Sequence, residues 1–331
     1  MLKLLNLATY SGYLKNFNNN PVELEAFLKR HRLDGLELIQ YDPWKPSLVP
    51  PRLIGGLHMR FWPTWLDFWR MDLPQLERQF GKISTCRQYY GGERPEALVE
   101  YYREELKTAL QMGVKYVVFH VSHVRPAESY TYRFPCSHGE VVEAFLELLN
   151  GALEGFEADF DMLFENQWWP GLTLLDREVP LRLLEGVRYP RKGFVLDISH
   201  MMNTNTELST EEEASQYILD RLDELGEVAA YIKGVHLNSC LSGQYVKDAV
   251  RIANNGSGCR DRVTIWDEEL YHHISKIDRH TPFTHSSIRR VMDRVRPEYL
   301  VYELLAPSLD VLEGYIEEQD RALGWGDQAP L

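Results

Sequence analysis

In the stretch GFVLDISHMMNT, residues 193–204, an apolar run ends in Asp197 and a histidine, His200, follows three residues later. The same event recurs along the chain. His58 closes IGGLHM, His120 closes KYVVFHV with His123 just beyond, and Glu165 closes DMLFEN. His236 sits in YIKGVHL, Glu303 in EYLVYEL, and IDRH puts Asp278 and His280 in alternate positions of one short segment. A single histidine at the end of an apolar run is usually a hydrogen-bonded structural residue, and a single carboxylate there often caps a helix N-terminus. Six successive runs ending this way ask for a common cause. Four carboxylates brought together would repel one another and raise their pKa values. Divalent cations remove that repulsion, and mixed imidazole and carboxylate ligands suit zinc, manganese or iron.

The residues need elements that bring them together. The runs lie near the start (LKLLNLA) and at 35–40, 54–59, 115–121, 161–166, 193–198, 231–237 and 298–304. Continuous apolar runs of this length suit strands of a parallel sheet buried on both faces. Between them come amphipathic segments such as ERPEALVEYYREELKTALQMG and STEEEASQYILDRLDELG, the latter opening on a Ser209–Thr210 N-cap signal. Eight strands alternating with helices predict an α/β fold, a single (β/α)8 barrel over residues 1–331, with its site at the carboxyl ends of the strands. The longest excursions follow strand 3 (60–92) and strand 7 (238–280). No glycine-rich GxGxxG or GxxxxGK[ST] loop favours a nucleotide-binding sheet.

Bulk properties set limits. The 331 residues are 44% hydrophobic and 26% charged, and the net charge of −13 speaks against extensive non-specific binding to nucleic acid or anionic membranes. Cys86, Cys136, Cys240 and Cys259 form no CxxC pair, as expected of reduced thiols in a cytoplasmic protein. No run reaches the ~18 apolar residues of a membrane span, so no membrane partner is expected.

GGLHM, FHVSH, LFENQ, LDISH, GVHLN, IDRH and VYELLAP together resemble the xylose isomerase-like TIM barrels, and within them the endonuclease IV (AP endonuclease family 2) branch. That resemblance implies two or three divalent ions, usually zinc, with manganese or iron as alternatives. His58 and His120 would bind one ion, with Glu165 bridging to a second. Asp197, His236 and Glu303 would complete the second site, and His200, Asp278 and His280 would hold the third. Sugar isomerases and epimerases of the same superfamily use one ion on a set resembling Glu165, Asp197, His236 and Glu303. The five further candidates favour the multinuclear branch. The loops after strands 2 and 3 (YDPWKPSLVPP, RFWPTWLDFWRM) and the insertion after His236 depart from the endonuclease pattern and put DNA binding in doubt, so DNA stands as the alternative partner behind a small sugar-like or phosphorylated substrate.

Two enzymatic readings follow. In metal-assisted hydrolysis of a phosphoester or related small polar substrate, ions activate water and stabilise the leaving oxygen. In isomerisation or epimerisation of a sugar or sugar phosphate, Glu165 and Glu303 act as acid and base. A non-catalytic, sugar-binding barrel is the third reading. Candidate substrate contacts are Trp62, Trp168, Trp169, His123 and Arg60. Tyr41, Trp44, Trp65 and Trp69 are further aromatic residues of the loops, and Arg125 and Arg279 further cations. His138 and His285 are expected near the mouth, His272 and His273 exposed on the inserted helix, and His31 structural.

Overall fold

The computed structural model describes residues 1–255, 264 and 267–325. Eight strands form a closed barrel in sequence order: β1 Leu2–Ala8, β2 Gly35–Ile39, β3 Ile54–His58, β4 Tyr116–His120, β5 Asp161–Glu165, β6 Lys192–Asp197, β7 Ile232–Leu237 and β8 Tyr299–Tyr302. Every neighbouring pair is parallel, and β8 closes on β1. Strands pointing one way need crossovers, which the helices between them supply. The runs lack polar alternation because both faces are covered. Leu4, Tyr116, Val118, Leu163, Val195 and Val301 fill the barrel interior, while a far larger apolar cluster lies between the sheet and the helices.

Register delivers the polar residues to one end. His120 lies beside Glu165, and Asp197 beside His236, in the last pairs of their ladders. His58 ends β3, and Glu303 follows β8 directly, its amide donating to Leu237 O. Gly56 matters because a Cβ there would lie 2.3 Å from the Tyr116 ring. Its absence lets that ring cross the interior toward β2.

The helices follow the expected signals. In the Glu211–Leu225 helix, Thr210 and Glu213 form a reciprocal capping box. The Glu96–Met112 helix buries Leu98, Tyr102, Leu106, Ala109 and Met112 along one face, but Glu105 is buried with them. Its Oε2 accepts the Arg60 amide just beyond β3. The excursion after β3 holds the short helices Trp65–Trp69, Leu73–Phe80 and Ile83–Tyr90, and that after β7 holds Gly243–Asn254 and Glu268–Ile277. None of the described helices is long and apolar enough to cross a membrane. Cys86, Cys136 and Cys240 are free, and Cys259 lies outside the described residues.

Candidate metal centre

Three groups of side chains at the barrel mouth place possible ligand atoms within 4.8 Å of one another: His58, His120 and Glu165; Glu165, Asp197 and His236; His200, Asp278 and His280. Glu303 joins the second, with Oε2 3.2 Å from His236 Nδ1. Glu165 links the groups. Its Oε2 is 3.2 Å from His58 Nε2 and 3.3 Å from both His120 Nε2 and His236 Nδ1. Its Oε1 is 2.8 Å from His200 Nδ1.

These spacings fit a shared cation. Donors about 2.0–2.2 Å from one tetrahedral ion lie roughly 3.3 Å apart. His58 Nε2 and His120 Nε2 approach to 3.1 Å, and His58 Nδ1 donates to Met59 O at 3.0 Å, so that His58 in its neutral, metal-binding form would turn its lone pair toward His120 and Glu165. His236 repeats the pattern in reverse. Its Nε2 donates to the Glu37 carboxylate at 3.1 Å, leaving a fully buried Nδ1 that makes no hydrogen bond. That atom stands 3.2 Å from Glu303 Oε2 and 3.3 Å from Glu165 Oε2 without a hydrogen bond to either, as expected of a ligand to an ion shared with those carboxylates.

A polar layer holds the carboxylates in place. Asn238 Nδ2 donates to Asp197 Oδ2 at 3.0 Å and to Glu303 Oε2 at 3.2 Å, while its Oδ1 accepts the Ser199 amide. Asn166 grips the Asp197 backbone through both side-chain atoms. Gln167 Nε2 donates to Glu165 Oε1, and Ser199 Oγ to Asp278 Oδ1. In the third group Asp278 Oδ2 lies 2.7 Å from His280 Nε2 and 3.3 Å from His200 Nε2. His280 sits at φ 49°, a left-handed conformation uncommon outside glycine. Its carbonyl accepts the Leu305 amide, and the Ser239–Thr281 bridge follows at once.

Burial disfavours charge throughout the site, yet opposite charges decide most of the outcomes. Burial opposes the ionisation of Glu165, but His120 and His236 hold its pKa well below the usual range. For His236, burial is outweighed by Glu37, Glu303 and Glu165, which raise its pKa. His280 is lifted to about 10 against burial by Asp278 and Glu303. Asp197 is pushed up to about 8, by burial first and then by the neighbouring charges of Glu303 and Glu165 against the opposing His200. Imidazolium balances carboxylate in the protein by itself, and bound cations would take over that role.

The family described as xylose isomerase-like TIM barrel matches residues 54–306. The chain belongs to this family. Solved structures with the same fold include AsfvAP:AG (12% identity, TM-score 0.53, 98% of each chain). L-Ribulose 3-epimerase is similar at 12% identity and TM-score 0.51, over 98% of this chain and 94% of that one. The 3-keto-D-glucoside 4-epimerase of E. coli follows at 12% and 0.50, over 97% and 98%. At these identities the likeness is one of fold. No curated protein matches the sequence.

Two cavities open on the centre. The larger, about 640 Å³, is walled by Tyr10, Tyr13, Tyr41 and Tyr271 and floored by His58, His120 and Glu303 among others. The smaller, about 210 Å³, contains Trp168 and Trp169. Three expected substrate contacts line neither. Trp62 is buried in the helix layer, its Nε1 donating to Tyr89 O and its ring against Tyr101, while its neighbour Phe61 takes the place in the cavity wall. Arg60 packs over those same two rings. His123 is buried behind the wall, where its Nδ1 accepts the Leu66 amide. Trp44, Trp65 and Trp69 hydrogen-bond to loops and helices, Arg279 is exposed, and His138 and His285 lie on the surface. His31 caps the Pro21–Arg30 helix and packs on Phe27. His272 is exposed as expected, but His273 is buried: its Nδ1 accepts Tyr245 OH at 2.8 Å and its Nε2 donates to Ser129 O at 3.0 Å.

Sequence reasoning passed over Glu37, Gln167, Ser199, Phe61 and the Tyr10, Tyr13 and Tyr271 rings. Glu37 did leave a signal, as an acidic residue in the middle of GLELI, a run otherwise suited to burial on both faces.

Proposed function

We propose that this protein is a metal-dependent hydrolase with a multinuclear centre, acting on a phosphoester or a related small polar substrate. The observation that carries the reading is that two ligand groups share the Glu165 carboxylate while His200 of the third lies 2.8 Å from its Oε1. His58 and His120 would hold one divalent ion with Glu165, while Asp197, His236 and Glu303 would hold a second with it. His200, Asp278 and His280 would hold the third. Bound ions of this kind supply a water of lowered pKa and stabilise charge on a leaving oxygen.

The chain's own groups do the positioning. Glu37 fixes His236 with Nδ1 inward, and Gln167 orients Glu165. Glu303 lines the larger cavity and is the carboxylate placed to exchange a proton with substrate. Phe61, stacked on His120 at 3.9 Å between ring centroids, and Trp168, 4.9 Å from His200, keep bulk water from those imidazoles.

Isomerisation or epimerisation of a sugar is the second reading. It is favoured by Glu165 and Glu303 flanking the single atom His236 Nδ1, at 3.3 and 3.2 Å, as an acid–base pair around one ion would. Elemental analysis of protein purified without chelator separates the two. Two or three equivalents of zinc, manganese or iron, with chelator-sensitive cleavage of bis(4-nitrophenyl) phosphate, are expected. His280→Ala should lose one equivalent. A single equivalent that His280→Ala leaves untouched would transfer the protein to the epimerase reading. No cleavage of an abasic-site DNA duplex is expected.

A further inference from the structure

The two cavities meet at the metal centre. Phe61, His120, His200 and Asp278 belong to the walls of both, so two of the three ligand groups stand at the junction. The chambers differ in chemistry. The larger combines exposed aromatic faces with hydrogen-bonding groups: four tyrosines, Asn16 and Ser308. Tyr10 and Tyr41 meet edge to face, 6.3 Å apart. The smaller is a slot whose walls include Pro63, Val124, Trp168, Trp169, Leu270 and Ile274. Its one arginine among the described residues, Arg125, is committed to Asp67 through two bonds of 2.7 and 2.8 Å and to Glu128 at 3.1 Å.

One helix serves both chambers. Leu270 and Ile274, four residues apart on the Glu268–Ile277 helix, face the slot, while Tyr271, on the adjacent face, reaches the larger chamber. The C-cap of the same helix is Asp278. The helix is tied down by His273, stacked on Tyr130 at 3.8 Å and bonded to Tyr245 and Ser129. The inserted segment therefore builds a section of fixed wall, with a tyrosine for one side, an apolar pair for the other and a ligand at its end.

We propose that the substrate has two unlike halves, a hydroxylated ring that lies against the tyrosines of the larger chamber and a small apolar or aromatic group that enters the tryptophan-lined slot, with the reacting bond between them at His120 and Asp278. Aromatic faces stack on the apolar faces of rings while the phenol and amide groups meet hydroxyls. A slot that sets Thr64, Ser122, Ser129 and Gln167 among mainly apolar walls, with its one arginine already paired, takes an uncharged group at least desolvation cost. The proposal rests on the hydrolase reading only for what happens to the bond. It concerns which molecule is held.

The test is calorimetric binding to the metal-loaded protein, with its metal content counted in each sample. The probes are methyl β-glucoside, phenol and phenyl β-glucoside. Phenyl glucoside is expected to bind at least tenfold more tightly than either fragment. Leu270→Trp, which fills the slot from a partly exposed position, should reduce phenyl glucoside to the affinity of methyl glucoside and leave methyl glucoside unchanged. Trp169→Ala serves as the second slot variant with the same expectation. Tyr271→Ala should weaken both glucosides severalfold and leave phenol alone. Phenyl glucoside binding no better than its tighter fragment, or Leu270→Trp affecting both glucosides equally, overturns the proposal. A single metal equivalent would overturn the hydrolase reading instead, while the comparison among probes still decides whether both chambers hold the substrate.

Discussion

Asp161 begins β5 and Glu165 ends it, and both carboxylates are almost wholly buried. At the amino end of the barrel, Asp161 accepts from Lys233 Nζ at 2.8 Å and Tyr299 OH at 2.9 Å, with Arg191 at 3.3 Å. At the carboxyl end, Glu165 meets four histidines and one glutamine, and among the described residues neither lysine nor arginine is within salt-bridge distance of it. Strand, residue class and burial are alike, so the contrast lies in the company. The amino end carries permanent cations that neutralise its charge for good. The carboxyl end is served by imidazoles, which can give up their protons and become ligands. One end is closed chemistry and the other is open to ions from outside.

Breaking the open end should have the largest effect. Glu165→Gln removes the carboxylate shared by four histidines, so metal content measured by elemental analysis should fall by two equivalents and turnover should drop to background. Weakening it from behind comes next. Glu37→Gln keeps an acceptor for His236 Nε2 but removes the charge that makes Nδ1 a better ligand. Metal affinity should fall about 10–100-fold in a competitive chelator titration, with the number of sites at saturation unchanged.

The closed end should respond in stability alone. Asp161→Asn leaves Lys233 and Arg191 uncompensated. The cost should be about 2–3 kcal/mol in denaturant unfolding, less than the roughly 3–5 kcal/mol of a fully buried pair because both cations are partly exposed. Metal content should not change, and a loss of metal in this variant would erase the distinction between the two ends.

A stability effect of another kind, read from its pH dependence, belongs to a buried carboxyl held by one backbone amide. Burial pushes Glu105 up to about 8, against the Arg60 amide bond and nearby His58. The unfolded chain releases this proton near 4.5, whereas the folded chain keeps it until about 8. The stability associated with the protonated group is full below about 4.5 and is lost as pH rises to about 8. The thermal midpoint of Glu105→Gln, relative to the parent, should therefore climb steadily from pH 5 to pH 8. A flat difference would show that Glu105 is ionised in the folded protein.

Strand order and the candidate ligands at strand ends were legible because both follow from local chemistry. A run such as KYVVFH can be stable only with both faces covered, and a histidine at its end must emerge at the mouth if the strands are parallel. The loop residues were not legible in this way. Trp62 and Tyr271 are both aromatic residues of excursions, yet one is packed among helices and the other stands in the cavity wall. Nothing within a few residues of either distinguishes them. His273 shows the same limit: the polar face of its helix was readable, but the Tyr130 and Ser129 that bury it come from a segment over a hundred residues earlier.

By itself, then, the sequence determined an eight-stranded parallel barrel and a mouth rich in histidine and carboxylate, because apolar runs and residue types act through neighbours along the chain. Tertiary structure alone decided that His200 also reaches Glu165, that Glu37 turns His236 Nδ1 toward Glu165 and Glu303, and that one inserted helix contributes to both a tyrosine chamber and a tryptophan slot. Those outcomes depend on distances between residues far apart in the chain, set by barrel closure and loop packing, to which no local pattern corresponds.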